Sequence, residues 1–566
     1  MYMDKRWRLL ETNPDTIAQL SSSLNIHKSF CTLLALRGVD SYTSAEKFFR
    51  PTLLHLHDPY LMKDMDKAVA RIVQAIEANE KIMIYGDYDV DGTTSVAVVC
   101  HFLKQYCDNI IRYVPNRFSE GYGISAVGMQ KAIDENVKLF IALDCGIKSH
   151  VHIDTANAAG IDCIICDHHL PEETVPQALA ILNPKQVDCD YPFKELCGCG
   201  IGFKLISAIE DRLHNTQEKC LEYLDLVATA IAADIVPIVD ENRTLAYFGL
   251  QKANQNPCVA ISALKQVADL QRPFTITDLV FVVAPRVNAA GRMDDAAKAV
   301  DLFMSNDRSE AAEFAKMLNI DNEDRKDVDK QITSEASAML MALPHDKRST
   351  VLYNKQWHKG VVGIVASRLI EQKFQPTIVL TESNGKLTGS ARSIPGFNLF
   401  DGLTQCSEYL TTFGGHYFAA GLTLDEKNFE PFATRFDEVV KATLTEEQFL
   451  PEIQIDAVLE LRDINDKYYN ILTQFAPHGP QNMRPIFCSN TVRNYQGECR
   501  IVKEKHVKFI IEQDGAIIKG IGFNLAEKFA VTQAGSFDIC YHIEPNEWNG
   551  VTNIEIRVLD IKPASK

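Results

Sequence analysis

Four short apolar runs, at residues 82–85, 139–143, 163–166 and 179–182, alternate with segments of helical period, and this alternation narrows the possible folds most. Runs of four or five apolar residues rich in β-branched types, with no polar residue on alternate positions, read as strands buried on both faces. Strands of that kind separated by helices imply an α/β fold with a parallel, doubly wound sheet. Ligands of such sheets gather beyond the carboxyl ends of the strands.

Those ends carry a recurring chemistry. Asp87-Tyr88-Asp89-Val90-Asp91-Gly92 follows the first run, and a helix is predicted over residues 93–106. Asp144 closes the second run in Leu143-Asp144-Cys145-Gly146, and Asp167-His168-His169 closes the third. Asp234, in Ala232-Ala233-Asp234-Ile235-Val236-Pro237, follows a long helical segment. Alternating carboxylates on a short loop offer hard oxygen ligands, which suit Mg²⁺ or Mn²⁺ better than a soft metal.

The first motif also fits the opening of an EF-hand calcium loop. That loop needs a bidentate Glu at its twelfth position, where this chain has Val98, and a helix before it, where this chain has a strand. Singly, an Asp after a strand is commonly a helix cap and a His-His pair a polar loop. Four such segments aimed at one sheet edge describe a two-metal phosphoester site, with paired divalent ions beside the attacking and leaving oxygens. A His among the carboxylates tilts the metal towards Mn²⁺.

The 566 residues, 46% hydrophobic, are enough for several buried cores. A formal net charge of -17 argues against indiscriminate coating of nucleic acid, so any such site must be a local basic groove. The first residues lead into no apolar signal core and no apolar run reaches the length of a membrane span, so the expected location is cytoplasmic. Fifteen cysteines without framework spacing read as reduced thiols.

Five regions are expected: an N-terminal helical cap over 1–80, an α/β domain over 81–304, a connecting helix over 305–344, a second α/β domain over 345–450 and a β-barrel of about five strands over 451–566. The charges of the connecting helix are expected to form a solvated face. Tyr495, Phe509 and Tyr541 in the barrel are candidates for stacking bases, with core packing the commoner role for each.

In this order, the four acidic and histidine motifs resemble those of the DHH phosphoesterase superfamily. Later segments resemble its RecJ family of single-strand-specific exonucleases: Asn116 to Gly123, Pro285 to Met293, Gly389 to Ser393, Phe413 to His416 and Pro477 to Phe487. The resemblance spans roughly residues 80–566. It implies a DHH domain, a DHH-associated domain and an OB-fold. It also implies a 5′-to-3′ exonuclease on single-stranded DNA, in repair and recombination, working with two Mn²⁺ or Mg²⁺ ions. Asp87, Asp89, Asp144, His168 and Asp234 would hold the metals, and His169, Arg286, Asn288 and Arg292 would act in catalysis. Arg117, Ser390, Arg392, Gly415 and His416 would bind substrate and read a 5′-phosphate. The implied partners are single-stranded DNA, with a single-strand-binding protein and a helicase as candidate protein partners, for a monomer that needs no membrane. Two departures stand out: Tyr85 where many relatives have His, so no metal ligand is expected there, and His478 where an aromatic residue is usual. Small superfamily hydrolases of pyrophosphate, cyclic dinucleotides or very short RNA, and a non-catalytic replication scaffold, are the alternatives. The barrel argues against the first, and the five retained ligands argue against the second.

Overall fold

The computed structural model describes residues 3–293, 295–548 and 551–564. The chain divides into two compact units, one of residues 46–324 and 475–483, the other of residues 1–45, 325–474 and 484–566.

The first unit is built on a parallel five-stranded sheet in the order Ile110–Tyr113, Ile82–Gly86, Leu139–Leu143, Asp162–Cys166, Ala180–Leu182. In chain order this is 2-1-3-4-5, a doubly wound sheet whose direction of winding reverses between Ile82–Gly86 and Leu139–Leu143. Those two strands are buried along their whole length, as their unbroken apolar runs require. The edge strand Ile110–Tyr113, interrupted by Arg112, is invisible to a search for purely apolar runs.

The helix after the acidic motif runs Val90–Leu103 and so starts earlier than residue 93. Asp89 caps it by accepting from Gly92 N at 3.0 Å. Thr93, Thr94 and Ser95, which favour turns, stay helical because their hydroxyls donate to the carbonyls of Asp89, Val90 and Asp91 one turn back. Asp91 is therefore a helical residue, and only Asp87 to Asp89 form the loop.

The expected cap over 1–80 is not one body. Arg6–Leu9 is a strand paired in parallel with Glu452–Ile455, and Trp7 Nε1 donates to Asp560 at 2.8 Å, so residues 1–45 group with the C-terminal part of the chain. The helix Met65–Glu77 belongs to the first unit and buries Met65, Ala68, Val69, Ile72 and Ala75, one stripe at helical spacing. The segment 475–483, read from sequence as leading into the barrel, also belongs to the first unit. The buried Arg243 guanidinium donates to the carbonyls of Phe475, Ala476 and Pro477, and Ile238 N donates to Pro480 O at 2.8 Å.

One 35-residue helix, Arg308–Ala342, spans the predicted connector. Not all its charges are solvated. Asp329 is buried and paired with Arg368 at 2.6 Å.

In the second unit a five-stranded mixed sheet has the order Thr412–Gly415, Ala419–Leu424, Lys386–Arg392, Thr377–Ser383, Thr350–Tyr353. The C-terminal sheet has seven strands, five of which close a barrel. Phe487–Asn494 pairs with both His506–Gln513 and Phe537–Trp548, and the ring is completed through Ala516–Gly522 and Val551–Pro563. Four antiparallel pairings and one parallel pairing are the OB-fold topology. Phe509 and Tyr541 are fully buried inside it, so core packing is their role.

Candidate metal centre and strand-end site

Strand register alone assembles the centre. Gly86 is paired with Leu143, Leu143 with Cys166, and Cys166 with Leu182, so the next residues along, Asp87, Asp144, Asp167 and Asn183, fall in one row at the carboxyl edge. The ladder extends one step into that row: Asp144 N donates to Cys166 O at 2.8 Å and Asp167 N to Leu182 O at 3.1 Å. Asp144 has φ 59°, a left-handed conformation that Asp tolerates better than most residues and that turns the chain off the strand.

Three overlapping groups of potential ligand atoms lie there, each within 4.8 Å internally: Asp87, Asp89 and Asp144; Asp144, His168 and His169; Asp91, His168 and Asp234. Asp144 and His168 each belong to two groups. His168 Nε2 is 3.2 Å from Asp144 Oδ1 and 3.6 Å from Asp234 Oδ2. Asp87 Oδ1, Asp144 Oδ1 and His168 Nε2 are buried and without a hydrogen-bond partner. Buried polar atoms without partners are costly, and several converging on one point fit the binding of a cation.

The electrostatics agree. Burial, and then the charge of Asp89, push Asp87 well above the carboxylate range. Burial, then Asp91 and Asp89, do the same to Asp144 and Asp234. Burial holds His168 down to about 4, hence as a neutral imidazole with a lone pair to offer. Oxygen-rich with one imidazole, the set fits Mn²⁺ or Mg²⁺.

Asp91 is the residue whose role the sequence left open. Its two oxygens accept from Gly198 N at 2.6 Å and Cys199 N at 2.8 Å, the first amides of the helix Gly198–His214. It joins two helix starts beneath the centre, and it also lies within 4.8 Å of the ligand atoms of His168 and Asp234. Gly198 must be glycine, since a Cβ there would stand 2.6 Å from the Cβ of Asp144.

His169 sits at the rim. Its Nδ1 is 2.7 Å from Asp167 Oδ1, which also accepts from His169 N, while Asp167 Oδ2 accepts from Ile147 N. Burial disfavours charge on His169, but the Asp167 carboxylate outweighs it, and its pKa is raised. Asp167 is thus an orienting residue that the motif contained without revealing its role. The exposed Tyr122 ring places its hydroxyl 3.1 Å from His169 Nε2. Arg117 lies 4.9 Å over the Tyr88 ring, and its charge opposes the upward shift of Asp87.

The other predicted residues are dispersed. Arg286, Asn288 and Arg292 lie on the helix Ala284–Met293, which follows a π-helical turn at Leu279–Val283. Arg286 donates to Asn319 at 2.9 Å and to Val282 O at 2.7 Å, which fixes the helix start. The charge of Arg292 acts on Tyr88 beside the centre, and Gly291 lies against the Tyr88 backbone. Tyr85 is buried, its hydroxyl donating to Gly123 O and accepting from Ser125 N.

Ser390, Arg392, Gly415 and His416 come together in the second unit. Ser390 and Arg392 share one face of the strand Lys386–Arg392, with Arg392 donating to Ser390 Oγ at 3.1 Å. Gly363, in the first turn of the helix Val362–Gln372, is so close that a Cβ would stand 2.8 Å from the Arg392 guanidinium and 3.0 Å from Ser390 Oγ. A guanidinium, a hydroxyl and a helix start without a side-chain cap put donors suited to an anion at one corner. Gly415 has φ 153° and no room for a Cβ beside Ala419 O, and His416 N donates to that same carbonyl.

Family models match in three places: DHH family, N-terminal domain, at residues 81–231; DHHA1 domain at 346–442; and RecJ OB domain at 455–560. The single-stranded-DNA-specific exonuclease RecJ of Bacillus subtilis is 36% identical over 98% of this chain and 70% of its own length. That of Escherichia coli is 33% identical over 94% of this chain and 95% of its own. The crystal structure of RecJ in complex with Mn²⁺ from Thermus thermophilus covers 99% of this chain and 80% of its own at a TM-score of 0.85 and 24% identity, a likeness of fold. A structure of exonuclease RecJ bound to manganese covers 70% of this chain and 98% of its own, with a TM-score of 0.61 and 29% identity.

Proposed function

The chain belongs to the RecJ family, and from that membership and the geometry of the acidic centre we propose that it is a metal-dependent exonuclease that hydrolyses single-stranded DNA from the 5′ end. The observation that carries the reading is the convergence of partnerless buried atoms from Asp87, Asp144 and His168 at the switch point of the sheet.

Asp87, Asp89, Asp144, His168 and Asp234 would hold two Mn²⁺ or Mg²⁺ ions, and Asp144 and His168 each belong to two of the ligand groups. When bound, such ions supply Lewis acidity to the phosphodiester and lower the pKa of water. The protein's own residues do the rest. Asp167 orients His169 and favours its protonated form, so that its ring can donate to charge developing on phosphate oxygens. Arg117 and Arg292 put positive charge beside Tyr88, next to the phosphate site, and Asn288 offers an amide from the same helix as Arg292.

Polarity needs a reader of the strand end, since the acidic centre itself has no means of choosing one. The corner of Ser390, Arg392 and the Val362–Gln372 helix start suits a terminal phosphate, with Gly415 and His416 on the neighbouring turn. Its donors carry no base specificity. Single strands produced in repair and recombination are the substrate class, and a helicase that generates them and a protein that coats them are the partners this activity calls for. We place it in the cytoplasm as a monomer. Free thiols, nearly all buried, fit a reducing compartment, and among the described residues no helix is long and apolar enough to cross a membrane.

The test is digestion of 5′-labelled and 3′-labelled single strands with Mn²⁺. Early release of label from the 5′-labelled strand alone supports the reading. Early release from the 3′-labelled strand, or internal cuts, overturns it.

A further inference from the structure

Ile235 follows the metal ligand Asp234 and has φ 60°. It is the first residue beyond the helix Leu224–Ala233, whose C-cap is Asp234, a position where helices ordinarily use glycine in the left-handed conformation. A β-branched residue is poorly suited to it, because its Cβ substituents crowd the backbone. Among the described residues only Ile235 and Thr491 are β-branched with positive φ, and Thr491 lies at an irregularity in the barrel, where its amide donates to Asp538. Burial does not compensate at Ile235. The residue is 62% exposed, so the chain carries a strained backbone and a solvated apolar side chain at one position beside the centre.

We infer that Ile235 is a substrate-contacting residue that selects deoxyribose at the nucleotide being released. The inference rests on the exonuclease reading of the centre. Asp234 Oδ2 is 3.6 Å from His168 Nε2, so Ile235 is one residue from the phosphate site, and the sugar is what a strand presents nearest a phosphate. An apolar side chain there packs against the C2′ methylene of deoxyribose, whereas a ribose 2′-hydroxyl loses water against it without gaining a partner. Apolar selection of this kind is modest, and it acts on transition-state binding.

Ile235→Gly and Ile235→Asn both relieve the left-handed strain and both remove the apolar contact. Each is expected to raise the melting temperature by about 2 °C or more, the scale set by removing a left-handed penalty from a unit of this size. Each is expected to lower kcat/KM about tenfold on an all-deoxy strand, and by no more than about threefold on a strand with one ribonucleotide at the digested end. Unchanged or lowered melting temperatures, or equal losses on the two strands, would overturn the inference while leaving wild-type activity on DNA intact. A wild-type protein inactive on DNA would instead overturn the exonuclease reading, and this inference with it.

Discussion

Asp144 Oδ1 and His168 Nε2 are 3.2 Å apart, both buried, and neither makes a hydrogen bond. A neutral imidazole and a carboxylate that face each other without bonding are held for a third party. With Asp87 and Asp234 also raised by burial and by their neighbours' charge, the metal-free protein carries repulsion that divalent ions remove.

Chelated protein should therefore be less stable at neutral than at mildly acidic pH. The sign follows from linkage: the folded-state pKa values of Asp87, Asp144 and Asp234 are raised, so between the ordinary carboxylate value and the raised one the native state binds more protons, and stability falls as pH rises. Mn²⁺ at 100 times its Kd should restore about 2.7 kcal/mol per ion bound at pH 7.5. Asp144→Asn should raise the melting temperature of chelated protein and abolish both the Mn²⁺ response and turnover. Melting curves with and without Mn²⁺ check this, and an undiminished response in the variant would remove Asp144 from the ligand set.

Asp167 acts through His169 and should be separable from the ligands. Asp167→Asn is expected to lower kcat by about 10- to 100-fold, the usual cost of losing an orienting partner, while the melting response to Mn²⁺ survives. Loss of that response would make Asp167 part of the metal site instead.

Much of the centre is legible because strand ends and carboxylates coincide in the sequence: Asp144 and the Asp167-His168-His169 run follow directly on apolar runs, and Asp87 follows one after Gly86. Three-dimensional relations are not. Nothing local says that both oxygens of Asp91 are occupied by Gly198 N and Cys199 N, 107 and 108 residues away, or that Arg286 is anchored by Asn319. The pairing of Arg6–Leu9 with Glu452–Ile455 likewise depends on an approach between chain ends that no window of residues contains. The start of the helix after the acidic motif is hard to place for a simpler reason: Thr93, Thr94 and Ser95 look like turn residues until their hydroxyls find carbonyls one turn back.

Arg392→Ala should weaken capture of a 5′-phosphorylated strand by about 1.5–3 kcal/mol, the range for a hydrogen bond to a charged group. The cost on a 5′-hydroxyl strand should be much smaller. Values of kcat/KM for wild type and variant on both strands give the coupling, and equal losses would place Arg392 outside the end-reading corner.

On the barrel, strand-binding residues must lie outside, since Phe509 and Tyr541 are core. Phe523 is 49% exposed, with His506 edge-on at 5.2 Å and Arg557 over its face at 5.5 Å. Arg500, Lys508, Ile521 and Arg557 are successive cross-strand partners on that outer surface, which puts three cations in one row on an acidic protein. Phe523→Ala should weaken binding of a long oligonucleotide by about 1–3 kcal/mol, with little effect on turnover at saturation. This variant is a cleaner probe than deleting residues 451–566, which would also remove the strand that Arg6–Leu9 pairs with and the segment that Arg243 grips. Unaltered affinity would assign the barrel face another purpose.

The most direct measurement takes chelated protein, a 5′-phosphorylated single strand and its blunt duplex, each labelled at the 5′ end, and follows mononucleotide release as Mn²⁺ is returned. The account predicts no release before Mn²⁺, release from the single strand after it, and none from the duplex. Release that persists under chelation, or that is equal on single strand and duplex, would contradict it.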